Sequence, residues 1–134
     1  MHVDGACHCG LIRFEAEVDP ATVAVCHCID CQVLSGAAFR VVVPAPAATF
    51  RVLGGTPRIY VKVADSGNRR VQAFCPECGS PIYSTAPENP TLYSLRLGTL
   101  RQRAELAPQA QNWTRSALPW VDGIATLRRN PGQP

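Results

Sequence analysis

All seven cysteines of this 134-residue chain fall in three short clusters, and this placement constrains the fold more than any other sequence feature. The clusters are Cys7-His8-Cys9-Gly10, Cys26-His27-Cys28-Ile29-Asp30-Cys31 and Cys75-Pro76-Glu77-Cys78-Gly79. Cysteines used as small core residues would be scattered along the chain, and a disulfide framework would more naturally contain an even number of them. The clustering therefore predicts metal sites.

Seven thiols divide naturally into one closed and one open site, because structural zinc takes four protein ligands and catalytic zinc takes three. The simplest division places four thiols in the closed site, namely Cys7, Cys9, Cys75 and Cys78. The open site then contains Cys26, Cys28 and Cys31, whose C-x-C-x-x-C spacing is compact enough to hold an ion by itself. The glycine that follows Cys78 is typical of a zinc-knuckle turn, in which Gly79 takes a positive φ.

The spacing leaves two alternatives open. In the first, the two C-x-x-C turns share one ion, which is bound by Cys28, Cys31, Cys75 and Cys78. The thiols left over are then those of Cys7, Cys9 and Cys26. In the second, a histidine supplies an eighth ligand and closes the second site. His8 or His27 would then have to point the same way as the cysteines on either side of it.

The formal net charge of +3 does not argue for nucleic-acid binding. Seven metal-bound thiolates would add seven negative charges and two zinc ions four positive ones, which brings the total to 0. The arginine doublets, Arg69-Arg70 and Arg128-Arg129, are isolated from each other in the sequence. We therefore expect no nucleic-acid partner.

The first five residues contain neither Lys nor Arg and no apolar run, which is unlike an export signal. No stretch approaches the roughly 18 apolar residues of a membrane span, so we expect no membrane association. Reduced thiols without an export signal predict a cytoplasmic, reducing compartment.

Short apolar segments separated by twelve prolines and ten glycines predict a mainly β fold. Residues 11–17 alternate between apolar and charged, which is typical of a half-buried strand. Residues 58–63 and 69–74 flank a polar turn and predict a long hairpin that leads into Cys75. Further strands are predicted at 22–25, 39–43, 50–53, 82–84 and 92–97.

Proline and glycine residues predict where the remaining strands and helices end. We expect Pro44 and Pro46 to stop the strand at 39–43, and Gly36 to end a short helix over residues 29–35. The whole pattern predicts one zinc-binding domain over residues 1–128 and a frayed tail over 129–134.

The order and spacing of the three cysteine motifs resemble the glutathione-dependent formaldehyde-activating enzyme family, which also includes centromere protein V. The agreement spans about residues 3 to 122 and includes Ser35-Gly36, the segment from Phe74 to Tyr83, Gly98-Thr99-Leu100 and Pro119-Trp120. The resemblance implies small antiparallel sheets in a zinc-pinned β-tent arrangement with short helical turns. It also implies two zinc ions. One would be structural and bound by Cys7, Cys9, Cys75 and Cys78, and the other would be catalytic and bound by Cys26, Cys28 and Cys31.

The same resemblance implies an activity, the joining of glutathione and formaldehyde to S-(hydroxymethyl)glutathione. We therefore expect a zinc-dependent carbon-sulfur lyase-like enzyme that acts on a thiol adduct of a small aldehyde, with Cys26, Cys28 and Cys31 as the catalytic site. Its partners would be a glutathione-type thiol and a small aldehyde. The alternative is a non-catalytic zinc-binding module for protein or nucleic-acid interaction, with a closed second site and a contiguous basic or apolar face.

Residues near the open site supply further candidates, although a surface or core role is the simpler expectation for each of them. The acid-base candidates are His27 and Asp30. Candidates to bind substrate carboxylates are Arg40, Arg96 and Arg115, and candidates to line a pocket are Phe39, Tyr83, Trp113 and Trp120. The chain has Arg101 where the family usually has an acidic residue, and Gln111-Asn112 where many members have a histidine.

Overall fold

The computed structural model describes all 134 residues and contains ten strands, one α-helix and five short 3-10 helices. The strands are β1 (His2–Ala6), β2 (Arg13–Glu17), β3 (Ala24–Cys26), β4 (Arg40–Pro46), β5 (Arg51–Gly54), β6 (Arg58–Val63), β7 (Arg69–Phe74), β8 (Pro81–Thr85), β9 (Leu92–Arg96) and β10 (Ala110–Asn112). The α-helix is α1 (Ile29–Ser35), and the 3-10 helices are Pro20–Thr22, Leu97–Thr99, Arg103–Glu105, Thr114–Ser116 and Val121–Thr126. None of these helices has the length and apolar character needed to cross a bilayer.

The strands form two sheets, which confirms the prediction of a mainly β fold with short helical elements. The smaller sheet has the order β1-β2-β5, and the larger has the order β10-β3-β4-β9-β8-β7-β6. Neighbouring strands are antiparallel, except that β10 runs parallel to β3. The sequence does not indicate β10, because all three of its residues are exposed and none follows an apolar alternation.

The two clearest strand predictions are confirmed. In β2 and the residue before it, Ile12, Phe14 and Ala16 are buried, while the charged residues between them face outward. The hairpin of β6 and β7 pairs in register from Arg58 opposite Phe74 to Val63 opposite Arg69. The hydrophobic core contains the inward side chains of β2 together with residues of β4, β8 and β9.

The prediction that Pro44 and Pro46 stop the fourth strand is wrong, since β4 continues through both prolines. Val42 is the last residue of β4 that has a neighbour on each side, with Ala24 of β3 and Arg96 of β9. Beyond that point β4 pairs with β9 alone. A proline is tolerated where one side of a strand has no partner, because its missing N–H costs no ladder hydrogen bond there.

The predicted short helix is confirmed as α1, and its end is confirmed at Gly36. Gly36 has a φ of 65°, the left-handed conformation that commonly ends helices. The amide of Gln32 donates hydrogen bonds to the carbonyl oxygens of His27 and Ser116, at 2.9 and 3.0 Å. These bonds fix α1 against the end of β3 and against the C-terminal segment.

Candidate metal centres and the adjoining cavity

The structure brings four thiols together in one cluster, within 4.8 Å of one another: Cys7, Cys9, Cys75 and Cys78. The Sγ atom of Cys9 lies 3.6 Å from that of Cys7 and 3.7 Å from that of Cys75. Zinc bonded to sulfur at about 2.3 Å in a tetrahedron places neighbouring sulfur atoms about 3.8 Å apart. All seven cysteines of the chain are free. The four-thiol cluster therefore has the donors and the dimensions of a closed zinc site.

A turn after β7 positions two of these thiols. Gly79 has a φ of 76° and donates its N–H to the carbonyl of Cys75 at 2.9 Å, as the zinc-knuckle reading predicts. The N–H of Glu77 points at the Cys75 sulfur, 3.4 Å away. Hydrogen bonds with Ser80 hold the pKa of Cys78 at about 5. The Ser80 contacts favour the thiolate form of Cys78, the form that binds metal.

The four-thiol cluster connects the two sheets. Cys7 and Cys9 follow β1 of the smaller sheet, whereas Cys75 and Cys78 lie between β7 and β8 of the larger. Both Cys7 and Cys75 are buried in the hydrophobic core. The two turns also touch directly, because the N–H of His8 donates to the Ser80 hydroxyl at 3.0 Å. An ion in this cluster would therefore crosslink distant parts of the chain.

The second cluster contains three thiols, those of Cys26, Cys28 and Cys31, again within 4.8 Å of one another. Cys26 ends β3, and Cys28 caps the N-terminus of α1, where its sulfur accepts the N–H of Cys31 at 3.2 Å. Burial raises the pKa of Cys28, but hydrogen bonds from the Cys31 thiol and backbone outweigh it and lower that pKa. No carboxylate, imidazole or further thiol joins this group. The cluster therefore offers three ligands.

Neither histidine candidate belongs to a cluster. His27 is buried, with Nε2 2.8 Å from Oε1 of Gln111 and its ring against that of Phe39. His27 lies between the end of β3 and the N-cap of α1, and its ring does not join the thiols of its neighbours Cys26 and Cys28. His8 is exposed. The geometry thus agrees with the four-plus-three division, and it gives no support to a shared pair of C-x-x-C turns or to a histidine ligand.

A cavity of about 370 Å³ opens beside the three-thiol cluster. Besides the three thiols its lining comprises Asp30, Leu34, Arg40, Val42, Lys62, Arg70, Gln72, Ser84, Ser94, Arg96, Asn112 and Trp113. Its floor is one face of the larger sheet, because Arg96 pairs with Val42, Ser94 with Ser84, and Ser84 with Gln72 across neighbouring strands. Polar side chains thus replace the apolar ones that a sheet face would normally bury against a neighbouring layer.

Positive charge dominates the lining of this cavity. Four cationic side chains face one carboxylate, that of Asp30, which lies 2.7 Å from Nζ of Lys62. Arg40 and Arg96 are deeper, each about 7% exposed. Burial and, to a lesser extent, the charge of Arg40 lower the pKa of Arg96 to about 9, so Arg96 remains protonated at neutral pH. The cavity is therefore suited to an anionic guest.

The structure places the other sequence candidates in different surroundings. Arg40 and Arg96 reach the cavity, whereas Arg115 stacks on the ring of Trp113, 4.7 Å from its centre. Trp113 lines the cavity, and Tyr83 lines an adjoining one. Trp120 is exposed on the surface.

The two sequence departures also differ in their surroundings. Arg101 pairs with Asp4 of β1 at 2.6 Å and does not line the cavity beside the three-thiol cluster. Gln111 contacts His27 and Asn112 lines the cavity, so that second departure adjoins the three-thiol site.

Sequence reasoning missed Lys62 and Gln72 as cavity residues. A signal for Gln72 exists in β7, where Arg70 and Gln72 alternate with Val71 and Ala73. This alternation predicts one polar face on a strand that lies inside a sheet. Such a polar face indicates a cavity above the sheet.

Comparison with known proteins agrees with the motifs. A sequence profile of the family described as glutathione-dependent formaldehyde-activating enzyme matches residues 2–116. The chain belongs to this family. The match covers both thiol clusters and every strand, and it confirms the resemblance read from the cysteine motifs.

A solved structure agrees with the fold. The crystal structure of a Rhodobacter sphaeroides protein, a structural-genomics target, matches with a TM-score of 0.63 and 21% sequence identity. The match covers 81% of this chain and 99% of the other. At this level of identity the similarity establishes the shared fold.

Proposed function

We propose that this chain joins a thiol to a small aldehyde, and catalyses the reverse reaction, at a zinc ion held by Cys26, Cys28 and Cys31. In this proposal a second zinc ion, held by Cys7, Cys9, Cys75 and Cys78, is structural. The observation that supports it best is a cluster of three thiols, without a fourth protein donor, at the wall of a cavity. A three-ligand site leaves a coordination position for substrate, which is the arrangement of catalytic zinc.

The reaction forms one carbon-sulfur bond. The thiol sulfur attacks the aldehyde carbon, the electron pair of the C=O π bond moves to oxygen, and the oxygen takes up a proton to give a hydroxymethyl thioether. The thiol proton is released, so the reaction consumes no oxidant or reductant. Zinc bound to the three thiolates would lower the pKa of the incoming thiol and favour its nucleophilic thiolate form.

In this proposal two side chains at the cavity wall transfer or stabilise protons. Lys62 and Asp30 line the same cavity as the three thiols and pair with each other at 2.7 Å. Nζ of Lys62 can donate a hydrogen bond to the aldehyde oxygen as negative charge develops there. Asp30 holds that ammonium group in place and can accept the thiol proton. His27 has no such role in this proposal, because it is buried away from the cavity.

The charge of the cavity also supports a thiolate reaction. Three thiolates around a divalent ion carry one net negative charge, which weakens the attraction of the site for a further anion. Arg40 and Arg96 lie beside this cluster and compensate for that charge. The same cations would favour a substrate that is itself anionic, as glutathione is.

The test measures the rate at which ¹³C-formaldehyde exchanges between its hydrate and its glutathione adduct. Magnetisation-transfer NMR gives this rate in the presence of zinc-loaded protein. We expect the exchange rate to rise in proportion to protein concentration and to fall to the uncatalysed rate in Cys28→Ser. Arg51→Gln, at an exposed strand position of the smaller sheet, serves as the control and should behave as the unaltered chain does. If the protein accelerates exchange for no pair of thiol and aldehyde, the proposal is contradicted and the non-catalytic zinc module is favoured.

A further inference from the structure

Two buried arginines beside the three-thiol cluster have no carboxylate partner. Arg40 and Arg96 lie on neighbouring strands β4 and β9, and neither forms an ion pair within the chain. Each gives one N–H to the same acceptor, Oε1 of Gln72, at 3.2 and 2.9 Å. Their Nε atoms are buried without any acceptor. Most of the donors of the two guanidinium groups are therefore unused.

Such a pair is unfavourable unless an anion completes it. Burying a guanidinium group is unfavourable unless an opposite charge and hydrogen-bond acceptors compensate for the lost hydration. The only internal acceptor, the neutral amide of Gln72, offers no charge. The thiolates of the neighbouring cluster do not suffice once they hold a divalent ion, since one net negative charge then faces two positive ones. The excess positive charge remains for a ligand.

The same arginines form the boundary with a second cavity, of about 490 Å³. Both cavities are lined by Leu34, Arg40, Gln72 and Arg96. The rest of the second cavity is mostly apolar or aromatic, formed by Tyr60, Ala73, Phe74, Gly79, Pro81 and Tyr83. A molecule that extends from the thiol cluster therefore passes the two arginines before it reaches apolar walls.

We propose that Arg40 and Arg96 bind a carboxylate of the substrate, and that the natural substrate is an organic acid whose apolar group occupies the second cavity. A carboxylate matches the flat, forked arrangement of guanidinium donors and can accept from both side chains at once. Gln72 holds the two guanidinium groups side by side and is a positioning residue. The inference rests on the proposed function, because the acid subsite adjoins the same thiol cluster.

The experiment measures the binding of matched thiols to zinc-loaded protein by calorimetry. The pair 3-mercaptopropionate and 3-mercapto-1-propanol differ only in the carboxylate, and 2-benzyl-3-mercaptopropionate adds an apolar group beside it. We expect the acid to bind about 30-fold more tightly than the alcohol, from charge-assisted hydrogen bonds. The benzyl group should add a further gain of about 10-fold by burial. Equal affinities of acid and alcohol would overturn the proposal, and no gain from the benzyl group would overturn its apolar part.

Variants assign the preference to the arginine pair. Arg40→Gln and Arg96→Gln should each reduce the ratio of acid affinity to alcohol affinity below about 3-fold. Because loss of a buried arginine could prevent folding, Gln72→Glu provides an independent test. The new carboxylate would occupy the place of the substrate acid, so we expect a higher melting temperature together with loss of the acid preference. Gln133→Glu adds the same charge in the exposed C-terminal segment and should change neither property.

A thiol-free acid separates this inference from the proposed function. If 3-phenylpropionate binds, and binding is lost in Gln72→Glu, the acid subsite is established even where no thiol adds sulfur to the metal. Binding of 3-phenylpropionate without addition of any thiol sulfur to the metal would refute the proposed thiol chemistry and support the acid subsite. If thiols do add sulfur to the metal but acid and alcohol bind equally, only the subsite is refuted. Retention of the acid preference in Gln72→Glu would also refute it.

Discussion

The two thiol clusters should differ sharply in what they contribute to stability, and one matched pair of variants tests this. Cys75→Ser removes a ligand of the four-thiol cluster, and Cys31→Ser removes a ligand of the three-thiol cluster. The substitution is chemically the same in both. Cys75 is buried in the core, in a cluster whose thiols come from turns of both sheets, whereas the three thiols of the other cluster lie within six consecutive residues.

The size of the difference follows from these positions. A structural zinc ion contributes about 10–16 kcal/mol in small zinc domains, so one of four ligands accounts for about 3 kcal/mol or more. For a domain of this length each kcal/mol corresponds to about 4 °C in melting temperature. We therefore expect Cys75→Ser to lower the melting temperature by at least about 12 °C. Cys31→Ser frees only the junction of β3 and α1, and we expect less than about 4 °C.

The assay combines thermal unfolding, followed by circular dichroism, with zinc content measured on the same samples. Cys31→Ser should lose one zinc ion per chain and retain its fold, while Cys75→Ser should lose stability together with its zinc. Each variant serves as the control for the other. Equal falls in melting temperature, or a larger fall for Cys31→Ser, would refute the assignment of structural and open sites.

Two further predictions concern contacts outside the thiol clusters. Gly5→Ala should lower the free energy of unfolding by about 1–3 kcal/mol. A Cβ at this position would clash with the buried ring of Phe14 and lie 2.7 Å from the carbonyl oxygen of Thr99. An unchanged urea midpoint would contradict this prediction. Hydrogen bonds from Arg101 hold the pKa of Asp4 at about 2, below its ordinary 3.8, so this interaction stabilises the fold above about pH 4 and is lost as the pH falls toward 2. The destabilisation caused by Asp4→Asn, measured as a difference in urea midpoint from the unaltered chain, should therefore shrink between pH 5 and about pH 3; a constant difference would contradict it.

Local sequence signals predicted the elements that depend on neighbouring residues. The turn after Cys78 requires a glycine, and Gly36 ends α1 for the same conformational reason. The alternation of apolar and charged residues in β2 and the polar turn between β6 and β7 likewise predict a strand and a hairpin from neighbouring residues alone. These features need no knowledge of distant parts of the chain, and the structure agrees with them.

Features that depend on distant partners were not predictable in this way. β4 passes through Pro44 because β3 ends and leaves one side of the strand free, a fact that lies outside the local sequence. β10 exists because it lies along β3, not because of its own residues.

The candidate site shows the same limit. Its thiols were found from their spacing, but the convergence of Arg40, Gln72 and Arg96 requires the strand order of the larger sheet. In that sheet β4 and β9 are adjacent, and β8 separates β9 from β7. The sequence therefore indicates the candidate metal ligands well, names Arg40 and Arg96 only as two of three arginine candidates, and gives no indication that Gln72 lies between them.

The most direct test of the account is zinc content together with X-ray absorption at the zinc edge, before and after a thiol is added. The account predicts two zinc ions per chain and an average of about 3.5 sulfur neighbours, the mean of a four-thiol and a three-thiol site. Adding glutathione or 3-mercaptopropionate should raise that average toward 4 as substrate sulfur enters the open position. One zinc ion per chain, or a sulfur count that no thiol changes, would contradict the account.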